Sequence, residues 1–194
     1  MRHIYSILLI IPTILFSQDA TKVESFKVTK ESPFLINQFV VIEQEEMPVE
    51  EGYKRVIDWI NITYNTPKEV IKGQIENDYI RIEGYQSSNP CIKSLGIVSC
   101  YDNKYSITFE FKDNKIKFQV TRLQLYSAPS SVSSGGWSEA GPSYSIMYKK
   151  NGKPVKLQHQ IADGFTSNLN ALQLNLSKYV SNPIDSSSNK DDDW

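Results

Sequence analysis

The sequence predicts an α+β domain: an antiparallel sheet of about five to six strands, with an N-terminal helix and a long C-terminal helix packed on one face. Three observations carry this reading. Apolar residues recur at helical spacing in residues 53–64 and again in 157–180, and between the two stretches the apolar period drops to two. The chain has 194 residues, 40% hydrophobic and 22% charged, which is the composition of a folded domain with its own core.

The elements follow in chain order. The opening MRHIYSILLIIPTILFSQ has a positive start at Arg2, an apolar run over residues 4–16 and a small residue, Ser17, at its end. That layout predicts a secretory signal peptide over residues 1–17, cut between Ser17 and Gln18. The run is shorter than the ~20 apolar residues of a spanning helix, so no stable membrane span is expected after cleavage; the competing reading is a buried N-terminal strand. Residues 18–33 are polar and are expected to form a flexible segment. Residues 34–43, FLINQFVVIE, read as a strand. Pro48 suits a first helical turn, and Glu50 and Glu51 favour the positive end of the helix dipole. Tyr53, Val56, Ile57, Ile60 and Tyr64 then mark one helical face, with Trp59 at its margin, and Pro67 stops the helix.

Beyond Pro67, strands are predicted at 70–76 and 79–85 around an Asn77-Asp78 turn, and less firmly at 91–99. Tyr105, Ile107, Phe109 and Phe111 alternate strictly, and a turn at 113–115 leads into Ile116, Phe118 and Val120. The parity then slips to Leu123 and Leu125, which predicts a β-bulge at Thr121 or Arg122. The core domain is therefore set at residues 34–126. Residues 127–151, rich in Ser and Gly, read as a flexible loop. Asn151-Gly152 marks a turn, and a C-terminal helix is expected over 152–182, with Gly164 weakening its middle by about 1 kcal/mol. A helix starting only at Thr166, after a hairpin over 144–161, is the second choice. Residues 183–194 read as a disordered acidic tail.

FVVIEQEEMPVEEGYKRVIDWI, NTPKEVI, IRIEG and YSITFEFKDNKIKFQVTRLQLY together resemble the exported Bacteroidota domain of unknown function 4468. The resemblance spans residues 39–126. It implies a TATA-binding-protein-like fold and, because fold alone assigns no function, no activity.

Loss of Arg2 takes 21 basic side chains to 20 against 22 acidic, a net charge of −2; this and export both argue against nucleic acid, whose phosphates are bound by concentrated Lys and Arg. Cys91 and Cys100 are a candidate disulfide in an exported chain, the alternative being two small buried apolar side chains. No zinc spacing, phosphate-cradling glycine loop or nucleophile elbow occurs, so no metal, cofactor or catalytic residue is implied. His159 is expected in solvent, and Asp191, Asp192 and Asp193 read as a solvated tail. Glu76, Glu83 and Glu110 are candidates for a carboxylate pair on the sheet. Trp59 and Trp137 are the candidate binding aromatics: each either closes onto the sheet or is presented to a partner. The expectation is a non-enzymatic envelope protein of the periplasm or cell exterior. It would bind an unknown envelope protein or small ligand, or serve as a structural subunit; the alternative is a hydrolase using strand carboxylates.

Overall fold

The computed structural model describes residues 21–33, 35–131, 134–140 and 147–183. The predicted signal peptide and the Asp191–193 tail lie outside them. Strand β1 (Thr21–Lys22) pairs parallel with β2 (Gln38–Glu43), and β2 pairs antiparallel with β8 (Lys115–Ser127). From β8 the sheet continues through β7 (Asn103–Lys112) and β4 (Tyr79–Gln86) to β3 (Ile71–Ile75), in the order β1-β2-β8-β7-β4-β3. A short strand, β9 (Gly136–Glu139), pairs with the end of β8 that extends past β2. Helices α1 (Val49–Thr63) and α3 (Lys156–Ser181) cover one face, and among the described residues no helix covers the other, open face.

The two-residue period builds the sheet and decides which face is buried. Ile80 and Ile82 of β4, Ile107 and Phe109 of β7, and Ile116 and Phe118 of β8 are all fully buried beneath the helices. The predicted bulge is present: Ser106 pairs with Arg122 but Ile107 pairs with Val120, so Thr121 is the extra residue. Without it Leu123 would face solvent; with it, Leu123 is buried.

Helix α1 starts at Val49, with Pro48 as its extended N-cap rather than inside the first turn. Its first turn is tied to the β7–β8 turn, where Asp113 Oδ1 accepts the Val49 N–H at 3.1 Å and Asn114 Oδ1 accepts the Met47 N–H at 2.9 Å. Pro67 does more than stop the helix: it opens a four-residue helix, α2 (Pro67–Val70), so the following strand begins one residue later than predicted. Helix α3 begins at Lys156, four residues after the expected 152, and runs unbroken through Gly164, which rules out the later start at Thr166.

Three expectations are corrected. The segment 18–33 is not a free tail where it is described. Phe26 is 1% exposed against Phe118, and its backbone N–H and C=O are both bonded to the Asn170 side chain of α3, at 2.8 and 3.0 Å. Polar composition concealed this because one aromatic and one amide on a distant helix hold the segment. The single strand at 91–99 is instead a hairpin, β5 (Cys91–Ser94) and β6 (Ile97–Cys100), forming a separate two-stranded sheet. It turns at Leu95 and Gly96, both at positive φ, 50° and 83°; a leucine there gives no turn signal in sequence. The third correction concerns Trp137. Its surroundings are not all loop, because Gly136–Glu139 form β9. The paired glycines are what permit it: Gly135 sits at φ 69°, and a Cβ there would lie 2.5 Å from Pro129 N and 2.6 Å from Ser127 O.

Candidate functional site

The candidate site is the open face of the sheet at the β9 end, and strand register assembles it. Tyr85 of β4 pairs with Lys104 of β7, Lys104 with Gln124 of β8, and Gln124 with Glu139 of β9, so these four side chains form one row across the sheet. The next row pairs Tyr126 with Trp137. The row on the other side holds Glu83, Ser106 and Arg122. Alternation explains the direction of each side chain, since Ile82, Tyr105, Leu123 and Leu125, at the neighbouring positions of opposite parity, face the helices.

Trp137 is the centre of an aromatic shelf. Its ring lies 6.2 Å from Tyr85, edge to face, and 5.4 Å from Tyr126, with Lys104 Nζ 4.6 Å from its centroid. The three rings keep contact with solvent: Tyr85 is 56% exposed, Trp137 38% and Tyr126 36%. Tyr85 is anchored from beyond the shelf, its hydroxyl donating to Asp102 Oδ2 at 2.7 Å. That bond lowers the Asp102 carboxyl and raises the Tyr85 phenol, and the Ser88 N–H, 3.0 Å from Asp102 Oδ1, adds to the stabilisation of the carboxylate.

Beside the shelf lies a polar depression lined by Lys72, Arg81, Glu83, Ser106, Thr121 and Arg122. Three of its six residues are cationic and one is acidic. Arg122 leans out of it toward β9, where Glu139 Oε1 accepts from its Nη2 at 2.6 Å and its Nε at 2.9 Å. The hydrogen bonds, then the charge, of Glu139 raise the Arg122 guanidinium further above its ordinary range. An aromatic shelf next to cations can hold a ligand that offers a flat apolar face and a neighbouring acidic or hydrogen-bonding group.

The other candidates are placed elsewhere. Trp59 is fully buried, not presented to a partner. Its ring meets Tyr64 and Phe109 edge to face at 6.0 and 6.1 Å, and its indole N–H donates to Asn175 Oδ1 of α3 at 2.6 Å. It sits at the α1–α3–sheet junction, where an indole reaches further than its position at the stripe's margin implies. His159 is half-buried rather than solvated, its ring 5.1 Å from Tyr148. Cys91 and Cys100 face each other across the β5–β6 hairpin, are exposed rather than buried, and are joined by a disulfide.

The carboxylates do not form a pair. Glu110 pairs in register with Tyr79 and binds Lys117 Nζ at 2.9 Å, whereas Glu83 pairs with Ser106. Four residues of strand separate the two levels, about 13 Å, beyond the ~5–9.5 Å that two-carboxylate glycoside chemistry uses. Glu76 lies on the helix side of this edge, near enough to the Tyr53 phenol that its charge, after burial, helps raise that group. Among the described residues no three His, Cys, Asp or Glu are grouped to hold a metal ion, and no helix is long and apolar enough to cross a membrane.

This architecture is an α+β, TATA-binding-protein-like domain. Two solved structures share it. A DUF4468 family protein from Bacteroides ovatus aligns over 75% of this chain and 85% of its own, with a TM-score of 0.60 and 12% identity. A TBP-like protein from Parabacteroides distasonis aligns over 74% and 91%, with a TM-score of 0.55 and 12% identity. The resemblance read from the residues is thus met in the fold. No family model and no curated protein matches the chain.

Proposed function

We propose that this chain is an exported envelope protein that works by non-covalent binding, through the open sheet face around Trp137, and turns nothing over. The observation that carries the reading is the placing of Trp137. A glycine-permitted return and a dedicated strand set its ring between two partly exposed tyrosines and beneath Lys104, on a face that no helix among the described residues covers. Large apolar side chains clustered on an uncovered face mark interaction surfaces more often than they serve stability. The neighbouring Lys72, Arg81 and Arg122 favour a ligand or partner segment carrying acidic groups.

Export is supported by the apolar run over residues 4–16 and by the exposed Cys91–Cys100 bridge, which belongs to an oxidising compartment. The non-enzymatic reading is supported by the separation of Glu83 from Glu110 and by the ion pair that engages Glu110. The test is affinity co-purification of the tagged protein from its native envelope, wild type beside Trp137→Ala and Arg81→Ser. Loss of the same associate from both variants is expected; retention by both would show that the site lies elsewhere. Turnover of a glycan or peptide, abolished by Glu83→Gln, would replace the binding reading with an enzymatic one.

A further inference from the structure

The β5–β6 hairpin joins no strand of the main sheet, and its base is fastened in three ways. Cys91 is bonded to Cys100, Ile92 is buried, and Gln160 Oε1 of α3 accepts the Lys93 N–H at 2.6 Å. Pro90 lies against Gly164 and Lys93 against Gln160, so the hairpin runs toward the N-terminal end of α3. At about 3.3 Å per strand residue and 1.5 Å per helical residue, its turn reaches the level of Lys156 and Leu157.

That tip is apolar and bare. Leu95 is 100% exposed, Ile97 68%, Val98 60% and the neighbouring Leu157 38%. The apolar groups do not share one face: Ile97 pairs with Ser94 on the side of Ile92, and Val98 pairs with Lys93 on the opposite side. The hairpin and the start of α3 that it lies against carry side-chain charge of one sign in sequence. Residues 87–101 and 147–162 hold five exposed lysines, Lys93, Lys149, Lys150, Lys153 and Lys156, and no Asp or Glu. Of the acids nearby, Asp102 is engaged by Tyr85 and Ser88, Asp163 lines the same depression as Lys30 and Lys156, and Glu31 is balanced by Lys30.

We propose that this end of the molecule is a membrane-interface anchor, in which Leu95, Ile97 and Val98 enter the surface of an anionic bilayer while the lysines meet its phosphates. An apolar tip with a basic surround is the chemistry of interfacial binding, and the disulfide holds the tip formed before contact. A second copy or a folded partner fits less well. Three aliphatic side chains offer roughly 200–350 Å², against about 800 Å² per partner in a stable protein interface. Apolar groups on both sides of a ribbon also call for an enveloping medium rather than one docking surface.

The test is co-sedimentation with vesicles of phosphatidylethanolamine and phosphatidylglycerol, and with phosphatidylcholine vesicles. It uses the protein purified from the producing cell's envelope, wild type beside Leu95→Asp and Lys93→Ser/Lys156→Ser. Aspartate tolerates the positive φ at residue 95, and far-UV circular dichroism checks that each variant folds. Binding to the anionic vesicles is expected to fall at least about tenfold in Leu95→Asp and about fivefold for each lysine removed, with little binding to phosphatidylcholine. Absence of binding by the wild type would overturn the proposal. Binding that Leu95→Asp leaves unchanged would overturn it too, as adsorption by charge alone. So would a concentration-dependent dimer that Leu95→Asp abolishes, since a second copy would then cover the tip. Because the hairpin stands apart from the open sheet face, Trp137→Ala is expected to bind vesicles as the wild type does, whatever becomes of the binding reading for that face.

Discussion

Replacing Gly164 by alanine sets two effects of opposite sign against each other. By helix propensity alone Gly164→Ala stabilises α3 by about 1 kcal/mol. The structure adds a collision. A Cβ at residue 164 would lie 2.7 Å from Pro90 Cα and 2.9 Å from Asn89 Oδ1, with Pro90 Cβ closer still. The obstructing atoms have little room to give. Asn89 Nδ2 donates to the Gly164 carbonyl at 3.1 Å, Asn103 Nδ2 donates to the Asn89 carbonyl, and the Pro90 carbonyl accepts from Tyr101 N at 2.9 Å. Forcing an extra carbon into a well-packed contact costs about 1–3 kcal/mol. When backbone must move, as here, the upper part of that range applies and outweighs the propensity gain. The expected result is a net loss of about 1–2 kcal/mol, or roughly 2–8 °C in Tm for a chain of this size. Urea denaturation read by far-UV circular dichroism measures it, with an unchanged m-value showing that the loss is in stability. A stabilised Gly164→Ala chain would refute the reasoning, because it would mean the 86–90 loop moves freely off α3.

Trp59→Ala should cost about 3–5 kcal/mol and Trp137→Ala only about 1–2 kcal/mol in the same titration, since one indole is core and the other meets two surface rings. Cys91→Ser should act locally: loss of the bridge removes ~2–3 kcal/mol from the hairpin, read as faster amide exchange in residues 91–100 with the main-sheet amides little changed. Stability should also fall on the alkaline side. Burial, then Tyr105, raises the Tyr64 phenol well above its ordinary 10.0, and burial raises Tyr105, whose hydroxyl lies 3.1 Å from that of Tyr64. Their folded values exceed their unfolded ones, so the folded chain keeps protons that the unfolded chain releases. Stability is therefore intact below pH 10 and declines above it, by about 1.4 kcal/mol per pH unit for each phenol. Tyr64→Phe should flatten the decline, as followed by urea midpoints between pH 9 and 11.

The parts of the fold that could be read in the sequence are those set by local period. Alternation in residues 105–111 and 116–125 marked two strands and narrowed the bulge to Thr121 or Arg122, because one inserted residue moves every later side chain to the other face. Helical spacing fixed α1 and α3. Contacts between residues far apart in the chain were not legible. Nothing near Phe26 signals Asn170, and nothing near Trp59 signals Asn175, yet those amides help hold both residues in place in the core. The candidate site was half legible. Trp137 stood out as an aromatic among Ser and Gly, but Tyr85, Lys104, Tyr126, Arg122 and Glu139 join it only through strand register. Tyr85, Lys104 and Tyr126 do carry one usable signal, since each falls out of phase with the apolar positions of its own strand.

The most direct test of the account is native mass spectrometry of the protein drawn from its own envelope, wild type beside Trp137→Ala. The account predicts a stoichiometric added mass on the wild type, a partner chain or a small acidic ligand, that is absent from Trp137→Ala while the variant remains folded. A bare wild-type monomer, or an added mass that Trp137→Ala keeps, would contradict the claim that the open sheet face is where this protein works.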